Sequence, residues 1–437
     1  MKTQYSKPNS KQSGHWATLA AFSAGILAAS PIWAAQYAIP DSPLQTGARA
    51  PANLMLVLDD SGSMTDHTMP ETLPTSLVTD IVNQTYTLNT IYYNPAITYL
   101  PWRKSVAGSI IRLANTPITA VYTDDVALTG NCNLLTNTGC TNIGEVRSRD
   151  GVSGSDFLTF HVPTETNTNL LDGSQYYRYL LKSDGSLERR IYSNGNWNTS
   201  DATYSAATTL TWRVSPTVNI SRTVAEEFAN FANWYSYHRT RNKVAKAGAS
   251  EAFADLGDNI RVGFNTIWDR DDYPIPVDGN DQGRFTGANR DTWYNKLHAA
   301  IGSGFTPLRT SLSRTGKYFQ DTSDTGPYGP LIATEDAPRG KQLTCRQNFT
   351  IFTTDGYWNG TDGRGTEGSD YSAPGDADST AGSTQTPYPT GADYTFAAST
   401  KPYADGVSDT LADVAMYFWK TDLRPDMVNN VPFTNAN

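Results

Sequence analysis

The apolar positions of this chain change period along its length. Leu54-Met-Leu-Val-Leu58 is a continuous apolar run, which predicts a short strand buried on both faces. From about Thr65 to Ile220 the apolar residues alternate in short runs, as in Leu158-Thr-Phe-His-Val162 and Leu210-Thr-Trp-Arg-Val214. Turn signals such as Asp184-Gly185 and Asn194-Gly195 separate them, and the pattern predicts a mainly β region. Helical spacing begins at Val224 and takes in Phe228, Phe231 and Tyr235. The preceding Thr223-Val-Ala-Glu226 is a capping box, and Gly248 is the expected break in this long helix. At that spacing the aromatic residues of 231–238 read as core rather than as a stacking platform for bases or sugars. Asn259–Ile267 is a second predicted strand, 291–301 and 307–318 are predicted helices, and Asn348–Thr354 is a third strand. A Gly/Ser/Asp/Thr loop over 356–395 and a last helix over Val407–Leu423 follow. Outside the β region this is strand–helix alternation, which predicts an α/β domain with a mostly parallel sheet.

The N-terminus changes the picture of where the chain works. Lys2, Lys7 and Lys11 precede an uncharged run, Trp16–Ser30, and Pro31-Ile-Trp-Ala-Ala35 ends it. That is the three-part pattern of a secretory signal, with cleavage expected after Ala34 or Ala35. The run falls short of the ~20 apolar residues a membrane span needs, so no stable span is expected once the signal is removed. The organisation expected is therefore a signal peptide over 1–35 and a lead-in with the first strand over 36–64. A mainly β insertion follows over 65–222, and the remainder of the α/β domain over 223–437.

Composition adds a function class to exclude. The 437 residues carry a net charge of −9, and only 18% are charged, below the usual ~25%. Nucleic acid is not an expected partner for such a chain, and a weakly charged, Thr-, Tyr- and Trp-rich composition suits an exported protein working at a surface. Cys132 and Cys140 lie eight residues apart, and a local disulfide between them is expected in an oxidising compartment; Cys345 is left over. No Gly-x-Ser-x-Gly elbow is present, and the five histidines are scattered singly, so no enzyme activity is expected. Asp278-Gly-Asn-Asp-Gln-Gly283 matches a calcium loop poorly and reads as a solvated turn.

The candidate chemistry follows the first strand, at Asp59-Asp60-Ser61-Gly62-Ser63. Ligands of open parallel sheets bind at the carboxyl edge of the strands. A strand ending in Asp-x-Ser-x-Ser delivers a carboxylate and two hydroxyls there, and Gly62 permits a tight turn. Such hard oxygens suit Mg²⁺ best, with Ca²⁺ and Mn²⁺ as alternatives. Thr306, in a Gly-rich loop before a helix, and Asp355, after the third strand, supply two further oxygens at element boundaries. Each piece alone is ordinary turn or cap chemistry; the set in order is specific.

These five residues resemble the metal-ion-dependent adhesion site of the von Willebrand factor A-type domain. The resemblance implies a doubly wound, mostly parallel sheet with the insertion placed inside it. It also implies a divalent cation touched by Ser61, Ser63 and Thr306, with Asp59 and Asp355 acting largely through water. Few direct anionic ligands would leave the ion able to take a partner's carboxylate. That sheet ordinarily adds a strand beyond the last helix, and Pro425–Asn437 offers none, so an incomplete sheet or a truncated or split gene product is expected.

A narrower resemblance covers most of the chain after the signal. Ile91–Trp102, Phe231-Ala-Asn-Trp-Tyr-Ser-Tyr-His-Arg-Thr-Arg241, Arg261–Thr266, Phe349–Trp358 and Asp409–Arg424 are similar to stretches of the PilC/PilY type IV pilus tip-associated adhesins. This resemblance implies export to the periplasm, outer surface or pilus tip, and roles in adhesion and pilus assembly. The implied partners are minor pilins, other tip components, or a host or abiotic surface ligand. The resemblance does not extend to the C-terminal β-propeller of that family with its calcium loop, and none is expected from these residues. A purely structural pilus-biogenesis role, in which the metal only stabilises the fold, is the alternative reading.

Overall fold

The computed structural model of the chain describes residues 50–70, 79–140, 157–164, 169–197, 201–329, 342–361, 366–386, 393–398 and 404–429. The predicted signal peptide lies outside the described residues. Ala48–Asn437 forms one compact unit.

Strand β1 (Ala52–Leu58) is buried along its whole length. A 3₁₀ turn, Gly62–Thr65, follows it directly. The next elements are a short helix α1 (Thr79–Asn83) and the hairpin β2 (Arg103–Val106) and β3 (Ser109–Arg112). The β-rich region then builds an antiparallel sheet from β4 (Phe157–Pro163), β5 (Tyr176–Lys182), β6 (Leu187–Ser193), β7 (Asn196–Trp197) and β8 (Ala202–Tyr204). A separate hairpin pairs β9 (Thr209–Ser215) with β10 (Val218–Thr223). Helices α2 (Val224–Tyr237) and α3 (Arg241–Ala252) lead to β11 (Ile260–Thr266). After it come α4 (Gly287–Ala299), α5 (Leu308–Tyr318) and β12 (Asn348–Phe352). The loop expected over 356–395 holds the short pair β13 (Thr384–Gln385) and β14 (Tyr394–Thr395), and α6 (Leu411–Lys420) is the last helix described.

The parallel sheet runs β11-β1-β12. Ala52 pairs with Ile260 and Leu58 with Thr266 on one side, while Asn53 pairs with Asn348 and Val57 with Phe352 on the other. A strand hydrogen-bonded on both edges and covered on both faces must be apolar throughout, which explains Leu54–Leu58. Met55 and Val57 pack with Leu308 of α5, Phe319 and Leu411 of α6. Trp293 of α4 covers β11, its ring 6.2 Å from Phe264, and donates to the Gly263 carbonyl at 3.1 Å.

The β-rich region packs its own core on α2. Tyr93, Phe160, Tyr179, Trp212, Phe231 and Trp234 form a buried aromatic cluster, with the Tyr93 and Phe231 rings 4.9 Å apart. The aromatic residues of 231–237 are therefore core. Glu227 is fully buried in this cluster. It accepts from Trp212 Nε1 at 3.0 Å, Arg222 Nε at 2.9 Å and the Tyr93 hydroxyl. Burial pushes its carboxyl up, and Arg222 opposes that shift. The polar face of α2 ties down the preceding loops: Asn230 accepts from the Tyr99 amide at 2.8 Å and Asn233 from the Thr116 amide at 3.1 Å. Cys132 and Cys140 form a disulfide, their Cα atoms 4.7 Å apart, and Cys345 is a half-buried free thiol.

Local signals placed most helix starts and misplaced one break. Thr223 and Glu226 form the capping box, and α6 starts later than Val407 because Thr410 and Asp413 make a second one. The break in the long helix is not at Gly248, which lies within α3. It falls at 238–240, where the Thr240 hydroxyl accepts from the Lys243 amide at 3.2 Å and starts a new helix. A local cap outcompetes glycine here because nothing crowds Gly248, around which a Cβ would meet open space, and one interior glycine costs only ~1 kcal/mol.

Two outcomes follow from these buried polar groups. Glu227→Ala leaves the Arg222 charge without its carboxylate and should lower unfolding free energy by about 3–5 kcal/mol in urea titrations; Glu227→Gln, which still accepts hydrogen bonds, should cost less. Burial pushes His238 and His298 down to about 4, against ~6.5 in the unfolded chain. Between those values the unfolded state binds the protons and the folded state does not. The histidines' share of the stability is therefore lost as pH falls from about 6.5 to 4, by up to ~1.4 kcal/mol per pH unit per histidine. Urea midpoints at pH 7 and pH 4.5 measure this, and His298→Gln should reduce the difference.

Candidate metal centre

Strand pairing brings together residues that lie far apart in the chain. β1 ends at Leu58, so Asp59 and Asp60 emerge at the carboxyl edge of the sheet. The β12 side of the pairing continues one residue further, with the Thr353 amide donating to the Val57 carbonyl at 3.0 Å. This sets Thr354 and Asp355 beside Asp59. Asp59 Oδ1 accepts the Ser61 amide at 2.8 Å and Oδ2 accepts the Thr354 hydroxyl at 2.8 Å. The Ser61 and Ser63 hydroxyls are 3.0 Å apart, and Ser63 donates to Asp355 Oδ1 at 3.3 Å. Asp59 is fully buried. That burial raises its carboxyl above the usual range, the Ser61 and Thr354 hydrogen bonds oppose it, and the nearby Asp355 carboxylate adds to it.

Asp60 points the other way and holds the scaffold. It is fully buried and accepts from the Trp268 amide at 3.2 Å and from Arg270 Nη1 at 3.1 Å. Its carboxyl is pushed up to about 6, burial outweighing the opposing Arg270 charge. Arg270 also donates to the Ser303 carbonyl at 2.8 Å. The Ser303 amide returns to the Asp60 carbonyl at 2.8 Å and the Gly62 amide to the Gly304 carbonyl at 2.9 Å. Gly304 sits at φ +86°, open to glycine, and a Cβ there would meet the Trp268 ring at 3.2 Å.

Thr306 stands on this same loop, buried, just ahead of α5. The contacts that place it run through its backbone: its amide donates to Asn359 Oδ1 at 2.6 Å, and its carbonyl accepts the Asn359 amide at 3.1 Å. Asp59, Ser61, Ser63 and Asp355 thus share one hydrogen-bonded cluster, and Thr306 is on the adjoining loop without a hydrogen bond to them among the described residues.

Arg241, the first residue of α3, enters the cluster from the other side. Its Nη1 is 2.7 Å from Asp355 Oδ2, its Nε donates to the Thr68 carbonyl at 2.7 Å, and its amide donates to the Asp66 carbonyl at 3.1 Å. Asp60, Arg270, Thr354, Asn359 and Arg241 are the residues that motif reasoning missed. Asp60 and Thr354 were adjacent to the motif and could have been suspected. Nothing near Arg241 in sequence points to the site.

The donor set fits a hard divalent cation. It is oxygen only, and the Ser61–Ser63 hydroxyl separation of 3.0 Å is close to the ~3 Å edge of an octahedron with ~2.1 Å bonds. A second group of acids behaves differently. Oxygens of Asp376, Asp378 and Asp413 lie within 4.8 Å of one another. Asp413 there spends its carboxylate on the Ala377, Asp378 and Thr410 amides, as a helix cap does. At the poor calcium-loop match, Asp281 accepts from Asn289 Nδ2 and the Gly283 amide, both at 3.2 Å, a turn held by its own side chain.

No family model and no solved structure matches the chain. Curated relatives do. The type IV pilus biogenesis factor PilY1 of Pseudomonas aeruginosa strain PAO1 is 28% identical over 437 residues, which cover 96% of this chain and 32% of that protein. Its counterpart in strain PAK is 29% identical over 96% of this chain and 32% of its own length, and that in strain UCBPP-PA14 is 29% identical over 87% and 28%. Over most of its length the chain is thus similar to type IV pilus biogenesis factors. It spans about a third of the length of these PilY1 relatives. Among the described residues, no helix is long and apolar enough to cross a membrane.

Asp60 and Ser63 should separate in a stability assay. Asp60→Ala strips a buried carboxylate from Arg270 and should cost about 3–5 kcal/mol in urea unfolding. Ser63→Ala removes a half-buried hydroxyl and should cost about 1 kcal/mol or less.

Proposed function

We propose that this chain is an exported module of a type IV pilus biogenesis factor, located at the periplasm, outer surface or pilus tip. Its described core is a von Willebrand factor A-like α/β domain, with residues 65–222 as an insertion. On this reading Ser61, Ser63 and Thr306 hold a divalent cation, Mg²⁺ in the first instance, and Asp59 and Asp355 orient its shell. When bound, the cation supplies a Lewis-acidic position for a partner carboxylate. The chain's own residues do the rest: Asp59 fixes the Ser61 amide and Thr354, Asp355 orients the Ser63 hydroxyl, and Asp60 with Arg270 holds the 303–306 loop against the 3₁₀ turn.

The observation that carries this reading is the convergence of Asp59, Ser61, Ser63 and Asp355 oxygens at the carboxyl edge of a parallel sheet. Its surroundings support a contact role rather than catalysis. Phe305 is 44% exposed and Tyr357, two residues past Asp355, is 88% exposed, and exposed aromatic residues are the usual anchors of protein interfaces. The partners proposed are minor pilins or other tip components, and no enzyme activity is proposed.

Binding of the full chain to purified minor pilins, followed by biolayer interferometry in Mg²⁺ and in EDTA, tests the proposal. Chelation and the Ser61→Ala/Ser63→Ala double variant should each weaken binding at least tenfold. Unchanged binding in both, with Mg²⁺ still raising Tm, would replace metal-mediated contact with a purely stabilising ion.

A further inference from the structure

Arg241 places a fixed positive charge against the oxygen cluster. Its guanidinium is 2.7 Å from Asp355 Oδ2, on the carboxylate whose other oxygen accepts from Ser63. The residue is 5% exposed. Its Nη2 is buried without a hydrogen-bond partner, and the nearest further carboxylate oxygen, on Asp66, is 3.7 Å away. Arg241 also opens α3, where the helix dipole already favours anions and disfavours cations. A buried arginine in that position needs its carboxylate. The other arginine of the site, Arg270, is committed to Asp60. Of the two carboxylates beside the serines, Asp59 and Asp355, one is therefore neutralised by the protein itself.

We propose that Arg241 is a resident counter-cation of the site, which keeps the affinity for a free divalent ion low, so that a partner's carboxylate is needed to retain it. The inference rests on the metal-dependent reading above. Two effects of Arg241 oppose each other. Holding Asp355 in place favours the ion, but Asp355 is also braced by Ser63 and by its position three residues past β12. Repulsion acts on the ion's double charge in a poorly solvated pocket, where screening is weak, and this effect dominates. A ligand that brings its own negative charge offsets that repulsion, which couples ion retention to an acidic partner group and gives the site its selectivity for occupied over free states.

Calorimetric titration of the full chain with Mn²⁺ tests this. Arg241→Gln keeps a donor for the Thr68 carbonyl and removes the charge; it should bind Mn²⁺ at least tenfold tighter than wild type. Arg241→Lys should restore weak binding. If wild type binds Mn²⁺ and R241Q binds no tighter, the inference fails and the metal-dependent reading stands. If neither chain takes up Mn²⁺, both fail. Should R241Q not fold, the wild-type chain labelled with ¹⁵N decides: Mg²⁺ should shift the Arg241 Nε–H signal together with the Ser61 and Ser63 amides. Serine shifts without an Arg241 shift overturn the inference alone, and no shift at any of the three overturns both.

Discussion

The parallel pairing of β1 between β11 and β12 is the constraint on which the rest depends. It draws three segments, separated by some 200 and then 80 residues, into one sheet edge, and it delivers Asp59 and Asp355 to that edge together. The pairing also has a cost. Directly after a fully buried strand the chain places two buried carboxylates in succession, and buried charge is tolerated only when paired or hydrogen-bonded. Asp60 is satisfied by Arg270 and the Trp268 amide, Asp59 by Ser61 and Thr354. The loops that carry those partners are thereby locked around the 3₁₀ turn.

A second joint connects this edge to the β-rich region. Arg239, Thr240 and Arg241 are consecutive, and each fastens a different segment. Arg239 donates to the Tyr122 carbonyl and pairs with Asp125 at 2.7 Å. The Thr240 hydroxyl donates to the Asp125 carbonyl at 2.6 Å, and Arg241 reaches Thr68 and Asp355. Three residues at a helix break thus hold the 122–125 segment on one side and the oxygen cluster on the other.

How much of this was legible in the chain depends on the range of the signal. Leu54–Leu58 announces a buried strand because its environment is apolar on every side, and Thr223–Glu226 announces a helix start because a capping box is local. The ends of β1 and β12 could be read as neighbouring oxygen-bearing positions for the same reason: strand ends are local features. The helix break was misassigned because an interior glycine and a threonine cap compete, and the cap wins by a hydrogen bond that only the folded backbone makes. Arg241 was invisible because its meaning comes from Asp355, 114 residues away, and no periodicity encodes a salt bridge between separate elements. Asp60 sat inside the motif, yet its role as a clamp on Arg270 is set by tertiary contact alone.

In the metal-dependent reading proposed above, one divalent ion is held by the oxygens at the carboxyl edge of the parallel sheet. Anomalous diffraction from crystals of the chain grown in Mn²⁺ measures this most directly. The account predicts a single strong Mn²⁺ peak within bonding distance of the Ser61 and Ser63 hydroxyls, with Asp59 and Asp355 around it. A well-ordered 59–63 and 353–356 region with no Mn²⁺ peak at those oxygens would contradict it.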